Sequence, residues 1–217
     1  MDEQKRKQAL LTLSQIYADA RPALHYNTAY ELLVAVILSA QCTDERVNKV
    51  TAELFKEHNT PETMLKLSQE ELEKYIFSCG LYKSKAAHIL SASRDIVDKF
   101  SGQVPSGFSD LKSLAGVGQK TANVVSSVWF EKDAIAVDTH VFRVSNRLGL
   151  AKASTPAKTE EQLKVSIPQA DWSKAHHWLI WHGRRICHSQ KPDCGNCPLA
   201  GCCDYYADRQ EKQKGEQ

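Results

Sequence analysis

The stretch LAGVGQKTANVV, Leu114–Val125, sets two glycines one residue apart just before a lysine and a helical apolar pattern. With the residues ahead of it, SDLKSLAGVGQKTANVV reads as a short helix, a tight turn and a second helix. Glycine at Gly116 and Gly118 lets the backbone reach positive φ and approach another molecule without a Cβ in the way. The second helix begins right after Gly118, so its free N–H groups point outward as an anion site, for which a backbone phosphate is the natural guest. Lys120 falls in the first turn of that helix, where the macrodipole disfavours an added positive charge and so favours the neutral, nucleophilic amine. Taken alone, the glycine pair reads better as a simple packing corner between two helices.

The helical spacing extends along the chain. Leu33, Val36, Ile37 and Ala40 follow the i, i+3, i+4, i+7 pattern, and Leu72, Tyr75 and Ile76 repeat it, whereas strand-like alternation is hard to find. Helix starts are marked by Asn27/Thr28, Thr43/Asp44, Pro61, and Ser68 with Glu71 as a capping box. Turns are marked by Gly80, by SGQVPSGFSD and by the glycine pair. The spacing predicts an all-α protein of about ten short helices, near 3–20, 28–41, 43–58, 68–78, 84–100, 109–114, 119–130, 139–148, 158–166 and 172–186.

Composition bounds what these motifs can mean. The 217 residues are 42% hydrophobic and 25% charged, with a formal net charge of +2. That near-neutral balance does not declare a nucleic-acid partner, so the argument for one rests on where charges are placed. The amino terminus MDEQKRKQALLTL lacks the apolar core of a signal peptide, and no apolar run approaches the ~20 residues needed to span a bilayer. The chain therefore reads as intracellular, and in a reducing compartment clustered thiols are more often metal ligands than disulfides.

Five of the seven cysteines lie in CHSQKPDCGNCPLAGCC. The spacing Cys187-x6-Cys194-x2-Cys197-x5-Cys203 supplies four thiolates, enough for one tetrahedral site or one cubane cluster. Spacing alone does not separate zinc from iron-sulfur, although zinc ribbons usually carry two CxxC knuckles and only Cys194/Cys197 forms one. Cys42 and Cys79 stand apart in helical segments and read as buried hydrophobes. Between the first two ligands, HSQKPD reads as a stiff exposed loop with Lys191 at its tip, placed for a phosphate, and Arg184 and Arg185 extend the basic edge. In AIAVDTHVFRVSNRLGL, Asp138 is expected to cap a helix N-terminus. An ionised carboxylate held there suits the stabilisation of a developing oxocarbenium ion.

The glycine hairpin resembles the helix-hairpin-helix (Leu-Pro-Gly-Val-Gly-x-Lys-Thr-Ala) of the endonuclease III family of DNA glycosylases. Ala115 stands where that pattern usually has proline, a change that touches the stiffness of the turn and not the chemistry. The resemblance runs from NTAYELLVAVILSAQCTD through the cysteine loop, with the motifs in the family's order. It implies an all-α, two-lobed helix-hairpin-helix DNA glycosylase fold with lobes flanking a DNA-binding cleft and a C-terminal [4Fe-4S] cluster loop. One lobe is residues 22–132, carrying the hairpin at 109–130. The other is 1–21 with 133–211, leaving 212–217 as a charged tail expected to fray.

The site residues follow from the same resemblance. Lys120 matches the nucleophile of bifunctional glycosylases, and Asp138 of VDTHV matches the catalytic acid residue, while His140 is assigned no chemistry. The x6, x2, x5 spacing matches the family's [4Fe-4S] loop, with Cys187, Cys194, Cys197 and Cys203 as ligands and Cys202 spare. Gln41 in LSAQCTD and Leu81 in CGLYKSKA match DNA-contacting loops, Leu81 as an apolar wedge. With Gly116, Gly118 and Lys191 they make the expected DNA-binding set. The implied activity is base release and lysine-dependent strand cleavage on duplex DNA with oxidised pyrimidines or abasic sites, by a cytoplasmic, nucleoid-associated monomer. The runner-up is an adenine-mispair glycosylase, whose relatives usually lack the lysine and carry a further C-terminal domain; this sequence has Lys120 and stops soon after the cysteine loop. From other classes come a non-enzymatic DNA-binding module and a zinc-stabilised structural protein.

Overall fold

The computed structural model describes residues 1–20 and 22–215, and every regular element among them is helical. In chain order the helices are α1 (Glu3–Ile16), α2 (Ala29–Leu38), α3 (Asp44–Leu54), α4 (Pro61–Met64), α5 (Gln69–Ile76) and α6 (Tyr82–Phe100). They continue with α7 (Phe108–Ser113), α8 (Gln119–Val128), α9 (Thr139–Leu148), α10 (Pro156–Ser166), α11 (Trp172–Arg185) and α12 (Asp204–Gly215), with single 3-10 turns at Gln169–Asp171 and Ala200–Cys202.

Local chemistry fixes the starts of these helices. Thr28 and Thr43 accept the backbone N–H of Glu31 and Arg46, and Ser68 and Glu71 close a reciprocal capping box. Each such cap satisfies a donor that the helix cannot, a contribution of ~1 kcal/mol. The helix ends are less regular. α1 stops at Ile16, short of the expected end near 20, because Tyr17 leaves the helical region at φ −114° and ψ 32°. α4 and α12 lie outside the ten predicted helices. α4 is one turn, begun by the Thr60/Thr63 capping box with Pro61 at its first position, and is too short to show a period. α12 is almost wholly polar, so no apolar stripe announces it. It carries helix as far as Gly215, into the stretch expected to fray; residues 216–217 fall outside the described residues.

The chain divides into two compact units, one formed by Pro22–Lys132 and the other by Met1–Arg21 with Asp133–Gln217. In the first, α2 is buried on all sides: every residue from Tyr30 to Leu38 is inside, as expected for a helix apolar around its whole circumference. α3, α6 and α8 pack against it, and α4 and α5 close over α6. Its one charge, Glu31, is 2% exposed and accepts from the Asn27 backbone and side-chain amides at 2.5 and 3.1 Å, which offsets the cost of burying a carboxylate. Ala122 and Val125 of α8 are fully buried in the same core, so the hairpin helices rest on the best-packed part of the unit.

In the second unit α9 lies along α11, with α1 packed on α11 and α10 and α12 on α9. Leu13, Val141, Val144, Leu163, Leu179 and Leu199 form its core. No helix among the described residues is long and apolar enough to cross a membrane.

Candidate functional site

The hairpin is held from below by the buried side chains of Leu114 and Val117, and the Val117 N–H donates to the Leu114 carbonyl at 3.1 Å. Gly116 lies at φ +75°, and a Cβ there would come within 2.9 Å of the His88 Cβ, so the turn admits only glycine. Gly118 differs from the expectation of positive φ. At φ −87° and ψ −178° it has a backbone that any residue adopts, and an added Cβ would meet nothing within 4 Å. The unit itself therefore makes no demand for glycine at 118; the open face does, if something is to approach it. α8 begins there without a side-chain cap. Lys120, in the first turn, is exposed and makes no hydrogen bond or ion pair among the described residues.

In the other unit the buried run Ala134–Val137 delivers Asp138 to the start of α9, where its Oδ1 accepts the Val141 N–H at 2.8 Å. Asp138 is thus the helix cap that its sequence position suggests. One turn on, the Arg143 guanidinium approaches His140 Nδ1 at 3.1 Å; a guanidinium only donates, so Nδ1 accepts. Burial pushes the His140 pKa down, against the opposing pull of the Asp138 carboxylate.

Cys187, Cys194, Cys197 and Cys203 line one cavity. Cys202 turns instead into the core of the unit, 6% exposed, with its thiol donating to the Leu199 carbonyl at 3.3 Å. Burial pushes the Cys203 thiol up to about 11 and raises Cys197 as well. No three His, Cys, Asp or Glu side chains among the described residues come together closely enough to hold a single metal ion. Four thiols lining one cavity are the donor set of a [4Fe-4S] cluster or of a tetrathiolate zinc site.

Residues that the sequence reading passed over hold this loop in place. Arg143 Nε donates to the Cys187 carbonyl and its Nη2 to the Gly183 carbonyl, both at 3.0 Å. Arg147 donates to the His188 and Ser189 carbonyls at 2.6 and 2.9 Å, and its Nη1 reaches Cys187 Sγ at 3.4 Å. The same guanidinium lies over the Tyr205 ring, 4.8 Å from its centroid. Burial lowers the His182 pKa to about 4; its Nε2 lies 3.6 Å from Cys197 Sγ and its Nδ1 3.1 Å from the Tyr17 hydroxyl. The available signal was the i, i+4 spacing of Arg143 and Arg147 on the helix that Asp138 caps. Lys191, at the loop's tip, is exposed at φ 48°, and Arg184 and Arg185 are exposed beside the loop.

Gln41 and Leu81 share a feature that their sequence contexts do not reveal: both are left-handed, at φ 53° and 59°. The glycine of this turn, Gly80, leaves positive φ to Leu81, and a Cβ on Gly80 would stand 3.1 Å from the Gln41 carbonyl oxygen, so the two loops touch. Leu81 is 59% exposed. The left-handed backbone is strained for a leucine, and such strain points to use by something outside the unit.

Comparison with known proteins gives this arrangement a class. Residues 34–169 match the family model of the HhH-GPD superfamily base excision DNA repair proteins, so the fold and hairpin are those of a helix-hairpin-helix DNA repair enzyme. Endonuclease III of Rickettsia conorii is 50% identical over 84% of this chain and 87% of its own length. Endonuclease III of Haemophilus influenzae is 45% identical over 94% and 97%. The solved structure of a trapped endonuclease III–DNA covalent intermediate, an estranged-adenine complex, superposes with a TM-score of 0.92 at 43% identity, over 97% of this chain and 99% of that one. The chain belongs to the endonuclease III family.

Two predictions follow from the local geometry. Gly116→Ala is expected to cost at least ~1–3 kcal/mol in urea unfolding, the range for a strained left-handed residue, whereas Gly118→Ala costs under ~1 kcal/mol, the scale of an N-cap change, and weakens DNA binding instead. Leu81→Gly should leave the unfolding midpoint unchanged or up to ~1 kcal/mol higher by relieving φ, while strand cleavage of damaged duplex falls.

Proposed function

We propose that this base excision repair DNA glycosylase and AP lyase acts on oxidised pyrimidines and abasic sites in duplex DNA, as a monomer in the cytoplasm, with Lys120 as its nucleophile. The observation that carries the reading is Lys120 itself: an exposed, unpartnered amine in the first turn of a helix whose start has no side-chain cap and whose preceding glycine leaves open space. Phosphate oxygens of the strand meet the N–H groups of that turn, and Gln41 and Leu81 occupy the gap left by the extruded nucleotide.

The chemistry then proceeds in two stages. The Lys120 amine attacks C1′ of the extruded deoxynucleotide, the glycosidic bond breaks and the base leaves with a proton, while the Asp138 carboxylate stabilises the positive charge that develops on the sugar. The sugar ring opens to an imine on Lys120, which acidifies the C2′ proton; its loss breaks the C3′–O bond and cuts the strand on the 3′ side of the lesion.

Cys187, Cys194, Cys197 and Cys203 would hold a [4Fe-4S] cluster. Their convergence on one cavity and the turning away of Cys202 support that set. When bound, the cluster supplies cross-linking of the loop rather than a step of the reaction. Lys191 and the arginines beside the loop then meet phosphates on a surface that is already fixed.

Borohydride reduction during reaction with a duplex carrying one thymine glycol is expected to trap a covalent protein–DNA adduct. Lys120→Ala should abolish the adduct and strand cleavage together; cleavage that survives would refute the assignment. Asp138→Asn should slow base release by ~10²–10⁴-fold while the folded state is retained, read by single-turnover release of the free base.

A further inference from the structure

Outside the lysine, the carboxylate and the cysteine loop, the unit Pro22–Lys132 holds a second pair of thiols. Cys42 directly follows Gln41, and Cys79 directly precedes Gly80. Cys42 packs against the core cluster that holds Cys79, and the two thiols interact electrostatically. The loops on either side are already pressed together at Gly80 and the Gln41 carbonyl, 3.1 Å from where a Cβ would stand. Cys79 is fully buried, whereas Cys42 is half-buried and open to small solutes. Lys85, 4% exposed, donates from Nζ to the Leu38 carbonyl at 2.7 Å and interacts electrostatically with both thiols.

We infer that Cys42 and Cys79 are a modification site: a reversible disulfide, made by peroxide, that locks together the two loops carrying Gln41 and Leu81. The half-buried Cys42 meets the oxidant. Its thiolate attacks one peroxide oxygen; an S–O bond forms, the O–O bond breaks, and the departing hydroxide takes a proton to become water. Cys79 then attacks the sulfenic sulfur. The S–S bond forms, the S–O bond breaks, and a second water leaves with the Cys79 proton. Two thiols and one peroxide give one disulfide and two waters, and the two electrons end on the peroxide oxygens. Burial, with the neighbouring Cys42, pushes the Cys79 thiol up to about 11, which suits it to the second, resolving step rather than the first.

The consequence for the loops is mechanical. An S–S bond of ~2.05 Å holds the Cα atoms of the two residues ~4.4–6.8 Å apart, so the two loops can no longer shift independently. Gln41 and Leu81, adjacent to the pair and already at positive φ, have little freedom to absorb that constraint. The disulfide itself stands on the contact of the two loops at Gly80 and Gln41; its effect on DNA rests on the roles proposed for Gln41 and Leu81.

The test uses the iron-loaded full chain, treated with stoichiometric hydrogen peroxide and followed by peptide mass spectrometry and visible absorption. Duplex affinity is measured with a non-cleavable tetrahydrofuran abasic analogue. The expected result is a Cys42–Cys79 linked peptide short of two hydrogens, with cluster absorption retained. Affinity should fall by ~10-fold or more, since ångström displacements in a site can cost ~10² in rate, and dithiothreitol should restore it. Cys42→Ala and Cys79→Ala should each bind DNA normally when reduced and lose the response to peroxide. No linked peptide, with both thiols still free, overturns the inference. A linked peptide with unchanged affinity overturns the lock, and Gln41→Ala and Leu81→Ala then tell the failures apart: if they also leave affinity unchanged, it is the DNA-contact reading of the loops that is wrong.

Discussion

The grip of Arg143 and Arg147 on the cysteine loop is the constraint on which the second unit is organised. Both arginines stand on α9, the helix that Asp138 caps, and between them they occupy the carbonyls of Gly183, Cys187, His188 and Ser189. One rigid helix thereby fixes the position of the carboxylate at its start and of the ligand loop along its length. Charge-assisted hydrogen bonds to backbone carbonyls hold the loop's path without depending on its side chains, so HSQKPD is free to present Lys191 outward. The core behind α9, with Val141, Val144 and Leu148 against Leu179, keeps the helix from yielding when the loop is loaded.

Strain in this protein is concentrated where contact with DNA is proposed. Five non-glycine residues among those described lie at positive φ, and three of them are Gln41, Leu81 and Lys191. Such conformations cost of order ~1–3 kcal/mol each and persist only where the surroundings impose them. α2, buried on every side, and the packed α5–α6 pair impose them on the first two, and the arginine-held loop carries the third. Gly118 makes the complementary case. Its backbone is ordinary and its surroundings empty, so glycine there relieves no strain within the unit and leaves open space in front of the α8 N-terminus.

Family membership and geometry address different questions about the cysteine loop. Membership carries the class of enzyme; the position of each thiol bears on which residues could ligate. Cys203 faces the cavity and Cys202 the core, a distinction that two adjacent cysteines in a string cannot make.

The sequence by itself determined the features whose causes lie within a few residues of one another. Ten of the helices are legible because an apolar stripe and a cap such as Thr28, Thr43 or Ser68 act within one or two turns. The hairpin, Lys120, Asp138 and the cysteine spacing are legible for the same reason. Tertiary structure alone decided that Gly116 and not Gly118 is conformationally required, since the clash is with His88 on another helix. It also decided that Arg143 and Arg147 hold a loop some forty residues further on, that polar α12 is a helix at all, and that the loops beside Cys42 and Cys79 touch. Those outcomes depend on packing that brings distant segments together, and side-chain periodicity carries no record of which distant carbonyl or thiol a helix will face.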